Sequence, residues 1–260
     1  MSKKYLFVCG CPRSGTTALW RLIAEHPQIV LGVERYAHLA FKKGGINPDL
    51  FEKKRFFDLR PGDTFYQTFD FNSYYDVVAR RRFDDAIWVG DKLPLLDLDY
   101  KGVEENFERA HLLYIVRNII DVAGSYQKRA EDPTDDTWNA TLDYRRAVHD
   151  WYKSIKATLE FLALKNRRTQ VSVILYDDLF LQRADLGCIF DWLNLSVDKS
   201  LNDQYDRLLA RSNELDARRG DCLNSAQRQY ISMHAPFGLY RQLLEKRLIV
   251  PPESAASQVE

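Results

Sequence analysis

Residues 10–18 read GCPRSGTTA. Two glycines, an arginine and three hydroxyl side chains stand together there, just ahead of an amphipathic stretch. Such a set can hold a phosphate-like anion. Gly10 and Gly15 let the backbone approach a ligand closely. Ser14, Thr16 and Thr17 carry hydroxyl donors, and Arg13 adds a fixed cation. A helix opening at Thr16 and running through Ala18 would turn its unpaired first-turn amides and the positive end of its dipole toward the same spot. A nucleoside-triphosphatase loop carries lysine directly after the second glycine, and its Ser/Thr holds magnesium. Here Thr16 occupies the lysine position, and the apolar run at 112–116 ends in Arg117 rather than in a magnesium-binding acid. The residues favour a phosphate-like ligand, disfavour metal-dependent nucleotide hydrolysis, and imply no metal site.

A second group lies in LLYIVRNIIDVAGSY, residues 112–126. An apolar strand there delivers Arg117 to its C-terminal end, the edge where open α/β sheets bind ligands. Ser125 follows a little over two helical turns later, so the pair can clamp a further phosphate. Other polar residues stand after apolar runs: Glu34 and His38 in GVERYAH, and Lys92 in GDKLP. A glutamate beside Arg35, a surface histidine and a solvated lysine are the plain alternatives for these three. His26, next to Pro27, reads as structural.

These side chains need a frame. Apolar runs at 5–9, 29–33, 86–89, 112–116 and 171–175 are nearly continuous, as strands buried on both faces of a parallel sheet are. Helical patterns fill the intervals at 16–25, 118–130 and 137–165, the last with Trp138, Leu142, Val148, Trp151, Ile155, Leu159 and Leu162 spaced by threes and fours with one wider gap. The alternation predicts a three-layer α/β/α fold on a parallel sheet of about five strands. Residues 1–250 are expected to form a single domain, with 251–260 a disordered tail. The segment 35–85 breaks the rhythm and holds 12 of the chain's 33 aromatic residues. It is either packing for a satellite of the core or the wall of a substrate site.

Composition narrows the classes. Lys plus Arg equals Asp plus Glu at 37 each, so the basic bias of a nucleic-acid binder is missing. The run YLFVC is a first strand rather than a signal peptide, and no stretch reaches the ~20 apolar residues of a membrane span. Cys9, Cys11, Cys188 and Cys222 suggest neither a zinc site nor a disulfide framework. Reduced thiols point to the cytoplasm. Nothing in the sequence reports the oligomeric state.

PRSGTTAL at 12–19, with Arg117 and Ser125 eight apart, resembles the sulfotransferases that use 3′-phosphoadenylyl sulfate (PAPS). His26-Pro27, GDKLP at 90–94 and YDDL at 176–179 look similar as well. The likeness covers roughly 5–180, has a phosphate-loop-like fold, and leans toward the bacterial and Golgi carbohydrate enzymes. It implies that Arg13, Ser14, Gly15, Thr16, Thr17 and Ala18 bind the 5′-phosphosulfate and that Arg117 and Ser125 bind the 3′-phosphate. PAPS is then the donor, and the acceptor is a hydroxyl of a carbohydrate, lipid or small metabolite. A glutamate following a His-Pro pair at this distance is the base of the carbohydrate enzymes, which selects Glu34, with His38 as the rival. Arg13 would stabilise the leaving oxygen and Lys92 would contact the sulfuryl group or the acceptor. The chain departs from the family in carrying Arg13 where many members have lysine. It also lacks the histidine of the cytosolic Lys-Thr-His-Leu-Pro segment and has only GLYRQLL, 238–244, as a faint C-terminal motif. The competing readings are a phosphate-loop small-molecule kinase and a non-catalytic nucleotide-binding regulator.

Overall fold

The computed structural model describes residues 3–42, 44–64, 74–217 and 222–248. The expected tail at 251–260 lies outside them. Five strands, β1 (Lys4–Cys9), β2 (Ile29–Val33), β3 (Trp88–Lys92), β4 (Ala110–Val116) and β5 (Gln170–Leu175), form one parallel sheet in the order β2-β3-β1-β4-β5. β2 and β3 are buried from end to end, which is why these runs read as continuously apolar. Helices of eight residues or more are α1 (Thr16–Ile23), α2 (Ile119–Ala130), α3 (Tyr144–Leu162), α4 (Lys199–Ala217), α5 (Ser225–His234) and α6 (Phe237–Leu244).

Strand alternation splits the core in two. Phe7, Val30, Val89, Leu112, Tyr114 and Val173 face a layer that includes α3, through Trp151 and Ile155. Leu6, Val8, Leu31, Leu113 and Ile174 face α1 and α4, through Leu19, Leu22, Leu201 and Leu208. The result is the expected three-layer α/β/α arrangement. All strand C-termini meet at one edge, and β1 stands at the point where the strand order reverses. Ligands of open α/β sheets bind at such a point.

Two expectations shift. The third strand runs to Lys92 rather than stopping at 89, so Asp91 and Lys92 belong to the sheet. The helix expected over 137–165 begins at Tyr144. Ahead of it, Asp132, Asp135, Asn139 and Asp143 each accept the backbone N–H two residues on, a local bonding pattern that competes with the helix ladder. Trp138 therefore sits outside the helix, packed edge-on against Tyr126 with ring centroids 4.9 Å apart.

In the 35–85 segment, Tyr36, Phe51, Phe56, Tyr75 and Phe83 are buried against the Phe7 face of the sheet. Phe51 meets Phe7 at 5.5 Å and Tyr36 at 5.6 Å, both edge-on. Arg35 is sealed beneath them. Its guanidinium pairs with Asp63 at 2.5 Å and donates to the carbonyls of Phe56 and Asp58 at 3.2 Å each. Arg55 joins the same carboxylate. Desolvation pushes the Asp63 carboxyl up, but hydrogen bonds from Arg55, the Arg60 N–H and Arg35 outweigh it and hold the pKa at about 2. These aromatics are packing. Phe65, Tyr66, Phe69 and Phe71 lie outside the described residues.

Candidate active site

The loop from Cys9 to Thr16 takes its shape from two left-handed glycines. Gly10 (φ 143) crosses β4 so closely that a Cβ would fall 2.2 Å from the Ile115 carbonyl oxygen. Gly15 (φ 101) caps α1, and a Cβ there would strike the Tyr176 ring at 2.4 Å. Arg13 also lies in the left-handed region at φ 70. No acidic residue occupies the first turn of α1, so its free amides present an uncompensated positive end. Ser14 Oγ is buried with no hydrogen-bond partner. An orphaned hydroxyl beside unpaired amides, in a cradle only glycine permits, fits a phosphate-type anion.

The second group comes to the same place. Arg117 leaves the end of β4 and lies over the Tyr176 ring, 4.0 Å from its centroid. Asp121 holds it at 3.1 Å, and its carbonyl accepts from Trp151 Nε1 at 3.0 Å. Ser125, on α2, accepts a hydrogen bond from Arg13 Nε at 2.9 Å. Arg13, Gly15, Thr16, Thr17, Ala18, Arg117 and Ser125 thus line one cleft of about 370 Å³. Partial desolvation, then the neighbouring Arg129 and Arg117, lower the proton affinity of Arg13. It remains a cation all the same, so positive charge is concentrated at this end.

Only Tyr176, in the YDDL motif, was legible in the far wall of the cleft. Tyr176 at the end of β5, Arg21 on α1, and Leu208, Arg211 and Ser212 on α4 complete it. Tyr176 Oη donates to Ser212 Oγ at 3.3 Å. Among the described residues neither Arg21 nor Arg211 makes an ion pair. GLYRQLL does not line this cleft. It forms α6, where Tyr240 packs on Trp151 at 5.0 Å.

Glu34 and Lys92 meet at the ends of β2 and β3. Lys92 Nζ donates to Glu34 Oε1, with side-chain exposures of 3% and 25%. The lysine is therefore not a solvated one, and the glutamate's partner is Lys92 rather than Arg35. Glu34 sits at φ 51, its N–H donating to the Lys92 carbonyl at 2.8 Å. His38 has Thr64 as its hydrogen-bond partner, with Nδ1 3.2 Å from Thr64 Oγ1, and burial lowers its pKa. His26 is structural. It accepts the Gln28 N–H on Nδ1, donates from Nε2 to the Ser196 carbonyl at 3.2 Å, and stacks on Phe190.

Among solved structures, the sulfotransferase domain of the Synechococcus PCC 7002 olefin synthase is 20% identical over 94% of this chain and 94% of its own, with a TM-score of 0.50. The sulfotransferase domain from the curacin biosynthetic pathway is 22% identical over 78% of each chain at 0.49. The sulfotransferase of Alicyclobacillus acidocaldarius is 18% identical over 88% of this chain and 100% of its own at 0.46. The curated protein sequences contain no significant match. No helix among the described residues is long and apolar enough to cross a membrane. The sulfotransferase family model matches residues 6–199, from β1 through β5 to the start of α4. By that match the chain belongs to the family of PAPS-dependent sulfotransferases.

Proposed function

We propose that the chain transfers a sulfuryl group from PAPS to a hydroxyl of a carbohydrate, lipid or small metabolite. The loop Arg13–Ala18 holds the 5′-phosphosulfate, Arg117 and Ser125 hold the 3′-phosphate, and Glu34 acts as general base. The observation that carries this reading is the 2.9 Å contact between Arg13 and Ser125, because it joins two anion-binding groups across one cleft. When bound, PAPS supplies the sulfuryl group and, in 3′,5′-ADP, its leaving group.

The chain's own part is positioning and charge. The first-turn amides of α1, the Ser14 hydroxyl and Arg13 place positive charge where the departing bridging oxygen gains negative charge. Arg117, held by Asp121 and Tyr176, fixes the other end of the nucleotide. Lys92 keeps the Glu34 carboxylate at the sheet edge, where it takes the proton of the acceptor hydroxyl. The wall from α4 and Arg21 closes over the remainder of the donor. The turn at 35–38, which follows Glu34, borders the acceptor side, and His38 is the rival base.

Calorimetry comparing 3′,5′-ADP with ATP, with and without magnesium, tests the donor. Tight, metal-independent binding of 3′,5′-ADP is expected, and equal binding of ATP would sink the 3′-phosphate assignment. Transfer from sulfur-labelled PAPS over glycan, lipid and metabolite fractions tests the acceptor class.

A further inference from the structure

Asp91 is an acid enclosed by the sheet. It stands on β3 in register with Phe7 of β1 and Gly32 of β2 and is wholly buried. Its Oδ2 accepts the Tyr36 N–H at 3.2 Å, while Oδ1 is buried with no hydrogen-bond partner. Gly32 makes room for it. A Cβ there would lie 2.8 Å from Asp91 Oδ1 and 2.9 Å from Arg35 Cγ. A fully buried strand thus forgoes a packing side chain so that an acid fits.

The bond to Tyr36 matters because of the turn it closes. Glu34 enters the left-handed region, which is strained for a non-glycine residue unless its surroundings hold it there. The Lys92 carbonyl holds its N–H, the Arg35–Asp63 pair anchors the next side chain, and Asp91 fixes the next backbone amide. Asp91 also precedes Lys92, whose Nζ meets the Glu34 carboxylate. One buried acid touches the turn of the glutamate and shares a strand end with its lysine.

We propose that Asp91 is a positioning residue for the Glu34–Lys92 pair, its side chain fixing the Glu34 turn through the Tyr36 amide and so setting where the two catalytic side chains meet. The inference rests on Glu34 being the base.

A dependence on pH follows. Desolvation, against the Tyr36 N–H and Lys92, pushes the Asp91 pKa up to about 8, with Glu34 adding to the rise and Arg35 opposing it. The other groups around it are the phenols of Tyr36, Tyr74 and Tyr75, all pushed well above their ordinary range by burial, and Asp63, already paired with Arg35. Burial thus favours the neutral form of Asp91. Above its pKa it becomes a second negative charge beside Glu34 with no cation on Oδ1.

The test compares the parent with Asp91→Ala, Asp91→Asn and Glu34→Gln. Binding of 3′,5′-ADP is measured, along with its release from PAPS given a panel of sugar and alkyl alcohols, and water, as acceptors. Asp91→Ala is expected to lower kcat at least about tenfold while 3′,5′-ADP affinity stays within about twofold. Asp91→Asn keeps an acceptor for the Tyr36 amide and cannot ionise. It is expected to match the parent at neutral pH and to hold that kcat above about pH 8, where a second charge beside Glu34 should lower the parent's. An alanine variant with parental kcat, an asparagine variant with the parental alkaline decline, or a parent with no such decline overturns the inference. If the alanine variant does not fold, the asparagine profile decides alone. If Glu34→Gln is inactive while both Asp91 variants behave as the parent, only this inference falls. If Glu34→Gln turns over normally, or the parent turns over with no acceptor, the reading beneath it falls too.

Discussion

The loop at residues 10–18 and the turn at 34–37 stand on the same edge of the sheet and are built in opposite ways. The loop takes its chemistry from consecutive residues: backbone amides, two glycines, three hydroxyls and one arginine. The turn takes its chemistry from residues far apart in sequence. Glu34 is placed by Lys92, Asp91 and, through Arg35, Asp63. A local anion cradle tolerates change around it because each donor acts on the ligand directly. A turn assembled from distant strands fails when any of its supports is removed. The donor half of the site is therefore expected to respond to substitution in graded steps of affinity, and the acceptor half in losses of turnover or of fold.

The largest effect expected on this contrast is that of Glu34→Gln. Turnover should fall about 10²- to 10⁴-fold, the range of a lost general base, with 3′,5′-ADP affinity unchanged in calorimetry. Parental turnover would move the base to His38. Next is Asp63→Ala, which strands the buried guanidinium of Arg35 and should destabilise the fold by about 3–5 kcal/mol, read by denaturant unfolding. The same carboxylate makes an acid-sensitive joint. Its folded pKa, about 2, lies below the ordinary 3.8. The stability it contributes is thus complete above its ordinary value and is lost as pH falls through the folded one. Thermal melts should show a steeper acid decline for the parent than for Asp63→Asn over that window.

Donor-side effects should be smaller and purely of affinity. Arg117→Ala should weaken 3′,5′-ADP by about 1–3 kcal/mol, the scale of a lost charge-assisted hydrogen bond, and leave the melting temperature nearly in place. Arg211→Ala, on the wall from α4, should weaken it by about three- to tenfold. If Arg117→Ala unfolded the chain, or Arg211→Ala changed turnover and not affinity, the contrast between the two halves would not stand.

That the loop and Arg117 meet in one cleft was legible because each sits where a strand run stops, and Ser125 because it follows Arg117 by about two turns on the next helix. Lys92 was legible as a candidate but not as a partner, since nothing local relates it to Glu34. The start of α3 was misplaced because apolar spacing continues through Trp138 while Asp and Asn side chains take the backbone bonds the helix would need. Arg21, Leu208, Arg211 and Ser212 carry no motif. Three of them lie beyond the matched segment, and α4 packs against α1 only once the sheet has formed.

The sequence by itself determined the strands, their parallel stacking and the tight loop between β1 and α1, because continuous apolar runs and a pair of glycines act through their immediate neighbours. Only the tertiary structure decided that Arg13 touches Ser125, that Lys92 is buried against Glu34, that α4 lines the same cleft as Arg13 and Arg117, and that Gly32 yields its place to Asp91. Those facts depend on strand order and register. Both are set by packing across the whole sheet, and no short stretch of residues contains them.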